Sequence, residues 1–265
     1  MAESLRQQQD KPVSLTDALA AIDRSIDPVR VISVDLSHAA GLTLAEDAVV
    51  AGTKVRLAGA RLRRIDLAQL RGAGIESIEV RVPRFLIVPE GVIESTRMMI
   101  EGAIESEGGA IAEAGSIETA IKRDDFDALI VFGNQRIGKI ILDGVALSPG
   151  GALAYGHVGG RSLFAMSSDF GAALAGWLAI GRRVLARLAF RLIEEQPYLL
   201  ELARPVASTR GIAQIVAVRR RAAQLEPLPD DWTAETMARS DGWILIPADS
   251  EGLAAGTRVQ MRPWP

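Results

Sequence analysis

The sequence is poor in the residues that most often carry catalytic and metal chemistry. It has no cysteine, which excludes disulfide bonds, thiolate metal ligands and a cysteine nucleophile. Its only histidines, His38 and His157, lie far apart and have no carboxylate at metal-ligand spacing, so no metal site is predicted. No serine occurs in a nucleophile-elbow pattern. The formal net charge of −3 argues against a general nucleic-acid-binding protein.

The chain also lacks a long hydrophobic run. The longest one, Phe170 to Gly181, is too short to span a bilayer and is followed by Arg182-Arg183. Residues 1–11 are polar and no apolar core of a signal peptide follows them. We therefore predict a cytoplasmic protein without a membrane partner.

What the sequence does contain is enough apolar residues for a full core. Hydrophobic residues make up 48% of the 265 residues, which suits two or three subdomains. The order of the patterns predicts a small N-terminal support region over 1–82, an α/β domain over 83–196 and a small β-domain over 197–265. Ser14 is predicted to cap a first helix, and Ser95 is predicted to cap the helix that follows the strand at 85–88.

The most informative stretch is Ala128 to Phe132, an unbroken apolar run typical of a strand buried on both faces. Ligands of an open parallel sheet lie beyond the carboxyl ends of its strands, where glycines admit a close approach and cations suit an anion. An ordinary strand-to-loop connection is the alternative interpretation. The candidate binding residues of the loop after this strand are Gly133, Asn134, Arg136, Gly138 and Lys139.

A helix start supplies a second part of the candidate site. Ser167-Ser168-Asp169 follows a short strand over 162–166 and leads into a long helix predicted to reach about Glu195. A helix N-terminus is a natural phosphate site, but Asp169 is predicted to cap this helix with its own carboxylate. That fixed charge would oppose an anionic ligand by about 1 kcal/mol.

Two interpretations of the nearby cations follow. They offset the charge of Asp169 if they converge on it, and otherwise they are ordinary surface residues. The cations concerned are Arg136, Lys139, His157 and Arg161.

The first half of the long helix is apolar almost all round, which predicts burial in a core or against a partner subunit. Phe170 and Trp177 on this helix are predicted to be packing residues.

Several segments occur in an order that resembles one known family. Gly133–Gly138 stands where that family has Gly-Gly-Val-Ser-Val-Gly, and Ser148-Pro149-Gly150 stands where it has Lys-Pro-Gly-Lys-Pro. Ile65–Ile75 follows its first region, and Ala238–Gly242 matches its C-terminal β-domain. On these segments the chain resembles the molybdopterin molybdenumtransferases, whose eukaryotic relative is the C-terminal domain of gephyrin.

The resemblance implies an α/β fold: a three-layer α/β/α molybdopterin-binding-like domain flanked by a small N-terminal α+β region and a C-terminal β-domain. It implies molybdopterin as ligand or substrate, with molybdate and Mg²⁺ only if the protein is active, and it assigns no catalytic residue. The implied partners are a second copy in a homodimer and a molybdoenzyme or another cofactor-biosynthesis protein. The implied binding residues are Gly133, Asn134, Arg136, Gly138, Lys139, Pro149, Gly150, Ser167, Ser168 and Asp169.

Departures from the family pattern leave three hypotheses. The family's second domain, normally inserted after the segment matching 45–51, is missing together with its Asp-Gly-Tyr motif. The helix after the main loop is missing too, so Lys139 runs almost directly into a strand, whereas a parallel crossover needs about a dozen residues.

The hypotheses are a molybdate-inserting enzyme, a non-catalytic pterin-binding or molybdoenzyme-assembly scaffold (a pseudoenzyme), and a structural homodimer that binds no pterin. Glu90 and Asp143 are the carboxylates of interest.

Overall fold

The structure is a computed structural model that describes residues 12–192 and 198–265. The polar segment 1–11 and the predicted domain boundary at 196/197 lie outside these residues. The first elements are α1 (Leu15–Ser25), β1 (Ile32–Asp35), β2 (Thr43–Leu44), β3 (Ala48–Val50), β4 (Thr53–Arg56), α2 (Arg64–Gly72) and β5 (Ser77–Arg81). Strands β1, β5 and β2 form one antiparallel sheet, and β3 with β4 forms a two-stranded ribbon where the resemblance places the missing domain.

Helix α1 is capped as the sequence predicts. The Ser14 Oγ accepts a hydrogen bond from the backbone N–H of Asp17 at 3.1 Å. The inner face of α1 does not pack on the N-terminal sheet, however. Ala18 and Ile22 are buried in the main core with the central domain, so α1 crosses the division predicted at residue 82.

The central domain holds a six-stranded mixed sheet in the order β7-β6-β8-β12-β11-β9. Its elements, with one short strand that leaves the sheet, are β6 (Arg84–Val88), α3 (Glu94–Ser106), β7 (Ala110–Glu113), α4 (Ile117–Ile121), β8 (Ala128–Phe132), β9 (Lys139–Asp143), β10 (Leu147–Ser148), β11 (Ala154–Val158) and β12 (Arg161–Met166). Strands β7, β6, β8 and β12 are parallel, and β11 runs antiparallel to both of its neighbours. All five residues of β8 are buried, as the apolar run predicts.

The prediction that Ser95 caps the helix after β6 is wrong. Helix α3 already begins at Glu94, and Ile93 occupies the cap position without a side-chain hydrogen bond. Glu94 instead places a carboxylate in the first turn, where it suits the helix dipole and pairs with Arg97.

The two faces of the central sheet are covered differently. One face packs against α1, α3 and the long helix, and forms the largest core of the molecule. The other face carries a smaller core that includes Leu129, Val131 and Leu163. Its cover is only partly helical, because α4 shares it with Ile137 from the segment after β8. The three-layer arrangement is therefore present, with one thin layer.

The segment from Gly133 to Gly138 connects β8 to β9 without a crossover helix. It does not lead into a neighbour of β8, because β9 lies at the far edge of the sheet, with β12 and β11 in between. The register places Lys139 opposite His157, and hence level with the start of β8. From Phe132 to Lys139 this is roughly 20 Å, which seven nearly extended residues can span. The predicted loop is thus a strap that joins the carboxyl end of the central strand β8 to the start of the outermost strand β9.

The long helix consists of α5 (Phe170–Gly176), a π-helical turn (Trp177–Gly181) and α6 (Arg182–Leu188). It ends earlier than the predicted Glu195, since Phe190 adopts a positive φ of 53°. Trp177 is fully buried and packs edge-on against Phe85 at 5.9 Å, as predicted for a core residue. Because this helix is buried by its own chain, its apolar surface supplies no argument for a dimer.

The C-terminal β-domain takes one strand from the central domain. Its own elements are β13 (Tyr198–Leu202), β14 (Val206–Ala207), β15 (Ala213–Arg221), β16 (Gln224–Pro227), α7 (Ala234–Ala238), β17 (Gly242–Ile246), β18 (Gly252–Leu253) and β19 (Arg258–Met261). The sheet order is β10-β15-β16-β13-β19, with β17 on β15. Strand β10 pairs in parallel with β15 and so ties the two domains together. Among residues 12–192 and 198–265, no helix is long and apolar enough to cross a membrane.

Candidate functional site

The carboxyl ends of β6, β8 and β12 lie side by side, and the turns that follow them form one crevice. Val88 is level with Val131, and Phe132 is level with Met166. The backbone N–H of Gly133 donates to the carbonyl of Met166 at 2.9 Å, which fixes the turn after β8 against the end of β12. This edge, called the carboxyl edge below, therefore brings together Glu90, Gly133, Asn134, Ser167, Ser168 and Asp169.

Two hydrogen bonds shape the turn before α5. The hydroxyl of Thr96, fully buried on α3, donates to the carbonyl of Ser168 at 3.3 Å. The Ser167 Oγ accepts from the backbone N–H of Asp169 at 3.1 Å. The turn is thus held both from α3 and from within.

Asp169 caps α5 as the sequence predicts. Its Oδ1 accepts from the backbone N–H of Ala172 at 2.9 Å. The carboxylate therefore occupies the end of the helix at which an anion would otherwise bind. Asp169 has no ion-pair partner in the part of the chain that the structure describes, so its negative charge is uncompensated there.

The two glycine-containing segments of the prediction lie in different surroundings. Gly133 adopts a φ of 81° and faces open space, so a ligand can approach its backbone closely. Gly150, with a φ of 96°, packs on α5: a Cβ there would lie 2.7 Å from the carbonyl oxygen of Ala172. Pro149 and Gly150 therefore support α5 from one side, whereas Gly133 borders the crevice.

The arginines near the carboxyl edge are already neutralised. Arg97 forms ion pairs with Glu94, Glu101 and Glu113, and its hydrogen bond with Glu94 raises its pKa above the ordinary value. Burial raises the pKa of Glu101, the least exposed of these carboxyl groups.

Arg136, a predicted binding residue, is neutralised in the same way. Its Nε donates to the Oδ1 of Asp143 at 2.8 Å. Neither Arg97 nor Arg136 thus offers an unpaired cation to a ligand at this edge.

The remaining predicted cations lie at the opposite edge, where β8 and β12 begin. Lys139 and His157 are neighbours across β9 and β11, with Cβ atoms about 5 Å apart. The Arg161 guanidinium stacks on Phe126 at 4.9 Å. Gly138 is packed here too, since a Cβ on it would lie 2.2 Å from the His157 carbonyl oxygen. Lys139, His157 and Arg161 therefore lie near one another at this edge. The condition that they converge on Asp169 is not met.

This opposite edge, called the amino edge below, has a cleft of its own of about 280 Å³ that His157 and Arg161 border. Beside it, the hydroxyl of Tyr155 lies 3.2 Å from Ser25 Oγ and 3.3 Å from Ser162 Oγ. Burial raises the pKa of Tyr155, so the phenol stays protonated. The arrangement ties α1 to the sheet.

Sequence reasoning missed two features of the site. The ion pairs of Arg97 with Glu94 and Glu101 follow the three- and four-residue spacing of one helix face, a signal that was readable. No local sequence pattern indicated that Trp232, from the C-terminal domain, packs against α5. A Cβ on Gly171 would lie 2.3 Å from the Cβ of Trp232, so glycine is required for this contact.

Within the described ranges, no three His, Asp or Glu side chains are grouped closely enough to hold a metal ion.

No protein-family model matches the sequence, and no curated protein matches it either. Solved structures do resemble it. A molybdenum cofactor biosynthesis protein from Pyrococcus furiosus is 21% identical, with a TM-score of 0.82 over 96% of this chain and 100% of that chain. Two structures of the molybdopterin biosynthesis moeA protein from Pyrococcus horikoshii are each 17% identical over the same shares, with TM-scores of 0.83 and 0.74.

These similarities establish the fold. The chain has the α/β fold of these molybdenum cofactor biosynthesis proteins along nearly its whole length, which confirms the predicted fold class and the fold that the resemblance implied.

Proposed function

We propose that this protein serves in molybdenum cofactor biosynthesis and binds molybdopterin at the carboxyl edge. The similar structures are described as proteins of molybdenum cofactor and molybdopterin biosynthesis, and the similarity covers 96% of this chain. The observation that carries the proposal is the crevice itself, where three turns of the same fold converge beyond parallel strands.

The proposed contacts are mainly with the backbone. The N–H groups of Asn134 and Ser168 donate to no acceptor within the described residues, and Gly133 leaves room beside them. Backbone N–H groups bind phosphate oxygens without a side-chain cation. The Asn134 amide and the Ser168 hydroxyl add neutral hydrogen-bonding groups. Of the ten predicted binding residues, this proposal keeps Gly133, Asn134, Ser167, Ser168 and Asp169 in contact range and gives Pro149 and Gly150 a supporting role.

The charge distribution favours a protein that holds the pterin over one that inserts molybdate. Molybdate and the phosphate of molybdopterin are both anions, and their close approach needs positive charge. At the carboxyl edge, Arg97 and Arg136 are paired, while Glu90 and Asp169 carry unpaired negative charge in the part of the chain described. We therefore propose a non-catalytic carrier or assembly scaffold that hands the pterin to a molybdoenzyme or to another biosynthetic protein.

The transferase remains the second candidate. It would need Mg²⁺, which carboxylates such as Glu90 would hold and whose positive charge would offset the negative charges of molybdate and the carboxylates.

The decisive experiment is equilibrium binding of molybdopterin to the purified protein and to the variant Asp169→Asn. Asparagine also caps helices, so the variant removes a charge and keeps the cap. We expect binding to strengthen by about fivefold, on the order of 1 kcal/mol. The matched control is Lys139→Ala, which removes a cation at the amino edge and should leave the affinity unchanged.

Three outcomes decide between the candidates. No molybdopterin binding at high micromolar concentration would overturn the proposal. A weakening by Lys139→Ala with no effect of Asp169→Asn would move the ligand to the amino edge. Molybdate insertion by the bound protein in the presence of Mg²⁺ would establish the transferase in place of the carrier.

We also propose that the protein is a homodimer in the cytoplasm. Phe190 and Leu192 are half exposed beside Gly59, and we take these neighbouring apolar side chains as the contact surface of the dimer. Light scattering at micromolar concentration should give twice the mass of one chain, and Phe190→Ser should lower it. A monomer in both samples would contradict the dimer.

A further inference from the structure

The C-terminal domain contains a cleft that the proposed site does not use. Two adjoining cavities, of about 540 and 260 Å³, share Ala207, Gln214 and Asp230 in their walls. Together they are called the C-terminal cleft. Their combined size lies within the range of small-molecule sites in proteins.

Most of the wall of the larger cavity is apolar. Pyrrolidine rings and an indole ring form a large part of it. A flat ring system buries the most apolar surface against such walls. The apolar wall residues are Pro205, Val206, Pro227, Leu228, Pro229 and Trp232.

Three polar groups of the cleft, Gln214, Ser208 and Asp230, have unused hydrogen-bonding capacity. The side-chain amide of Gln214 bonds to no group in residues 12–192 and 198–265. The Oγ of Ser208, which borders the smaller cavity, is buried without a partner among these residues. Buried polar groups are normally paired, and leaving one unpaired is unfavourable. This cost applies to Ser208, whereas Gln214 is partly exposed.

Asp230 supplies the only carboxylate that the described residues place in the cleft walls. Its Oδ1 accepts from the indole Nε1 of Trp232 at 2.9 Å, which holds the side chain in place. A carboxylate accepts about four hydrogen bonds, so Asp230 has capacity for further N–H donors. Arg204, the single cation of the same walls in the described part of the chain, is engaged by Glu226 and by the carbonyl of Pro227.

We propose that the C-terminal cleft binds an uncharged heterocycle with the hydrogen-bonding edge that guanine and pterin share. This edge places a ring N–H and an amino group next to a ring carbonyl. Asp230 accepts the two N–H groups, the Gln214 amide donates to the carbonyl, and the apolar walls enclose the rings. Adenine lacks the ring N–H and the carbonyl, so the same groups would discriminate against it.

The test uses three probes without phosphate: pterin, guanosine and adenosine, each titrated into the full-length protein by calorimetry. We expect pterin, guanosine or both to bind at least tenfold more tightly than adenosine. Binding of pterin alone would identify a pterin as the source of the edge, and binding of guanosine alone would identify a guanine nucleotide.

Two variants locate the binding. Gln214→Ala and Asp230→Asn should each weaken it at least tenfold, and the amide oxygen of the second variant can still accept from Trp232. Gln224→Ala, in the same domain but outside the cleft, is the matched control and should bind like the wild type. A thermal melt of each variant confirms that it is folded.

The proposal is overturned if no probe binds at millimolar concentration, if adenosine binds as tightly as the others, or if neither cleft variant weakens binding. This inference can fail independently of the proposed function, because Asp169→Asn tests molybdopterin binding at the carboxyl edge and the cleft variants test binding in the C-terminal cleft. Molybdopterin binding that responds to Asp169→Asn, with no probe bound in the C-terminal cleft, would refute this inference alone.

Discussion

The carboxyl and amino edges of the central sheet differ in which charges are left unpaired. At the carboxyl edge the arginines are paired, and Glu90 and Asp169 have no cation partner among the described residues. At the amino edge Lys139 and Arg161 have no ion pair within the same residues. The amino edge therefore has unpaired cations beside the carboxylates Asp27 and Asp124, which have no ion pair among the described residues, whereas the unpaired groups named at the carboxyl edge are carboxylates.

This difference shows that a fold and its electrostatics are separable. The crevice beyond the parallel strands is set by backbone topology and is present here. The side chains that would attract an anion are not at that crevice, because the strap after β8 moves Lys139 to the other edge. A ligand at the carboxyl edge must therefore rely on backbone N–H groups, whose positions the topology fixes.

The largest expected effect is on the free energy of unfolding when either glycine of the strap is replaced by alanine. Gly133 and Gly138 both have positive φ, so alanine strains the backbone at each by about 1 kcal/mol. Only at Gly138 would the new Cβ meet a backbone atom, the His157 carbonyl oxygen at 2.2 Å. In urea unfolding, we expect Gly138→Ala to lose roughly 3 kcal/mol and Gly133→Ala to lose about 1 kcal/mol. Equal losses would mean that the strap is not anchored at the amino edge.

A smaller effect concerns the ion pair of Arg136. Asp143→Asn should release Arg136 as a cation near the carboxyl edge and strengthen molybdopterin binding by about threefold, under 1 kcal/mol. The matched control at the amino edge is Asp127→Asn, since Asp127 pairs with Arg84 in a similar way. If the control variant strengthened binding equally, the two edges would not differ as described.

The smallest expected effect is a change in the pKa of one carboxyl group, that of Asp125. Hydrogen bonding from Arg123 lowers the pKa of Asp125, at the amino edge, to about 2. Its contribution to stability is thus present above the ordinary value near 3.8 and is lost as the pH falls toward 2. NMR titration should give this low pKa, and Arg123→Ala should return it to near 3.8. An unchanged pKa in the variant would remove Arg123 as the cause.

Much of the fold was readable from local signals. The apolar run at 128–132 identified the buried central strand, and Ser14 and Asp169 identified two helix starts through their capping groups. The start of α3 was misjudged, because the backbone at Ile93 supports a helix start without a capping side chain. The end of the long helix was misjudged by several residues, because a positive φ at Phe190 depends on packing and not on a local breaker.

The candidate site, like the fold, was predictable from the sequence only in part. Gly133, Ser167 and Ser168 lie together in the structure, since residues that follow parallel strands meet at one edge. Arg136 is near the same edge but is neutralised by Asp143, and Lys139 lies at the amino edge. Both positions follow from β9 joining the far side of the sheet, a pairing that no local pattern encodes.

The sequence alone indicated most helices and strands of this protein, because apolar periodicity, caps and turns act over a few residues. It also determined the general fold class and the absence of thiol chemistry. Only the tertiary structure decided which charges face which edge, which glycine is open and which cavity the C-terminal domain encloses. Those properties depend on strand order and register, which arise from long-range pairing and the burial of whole faces.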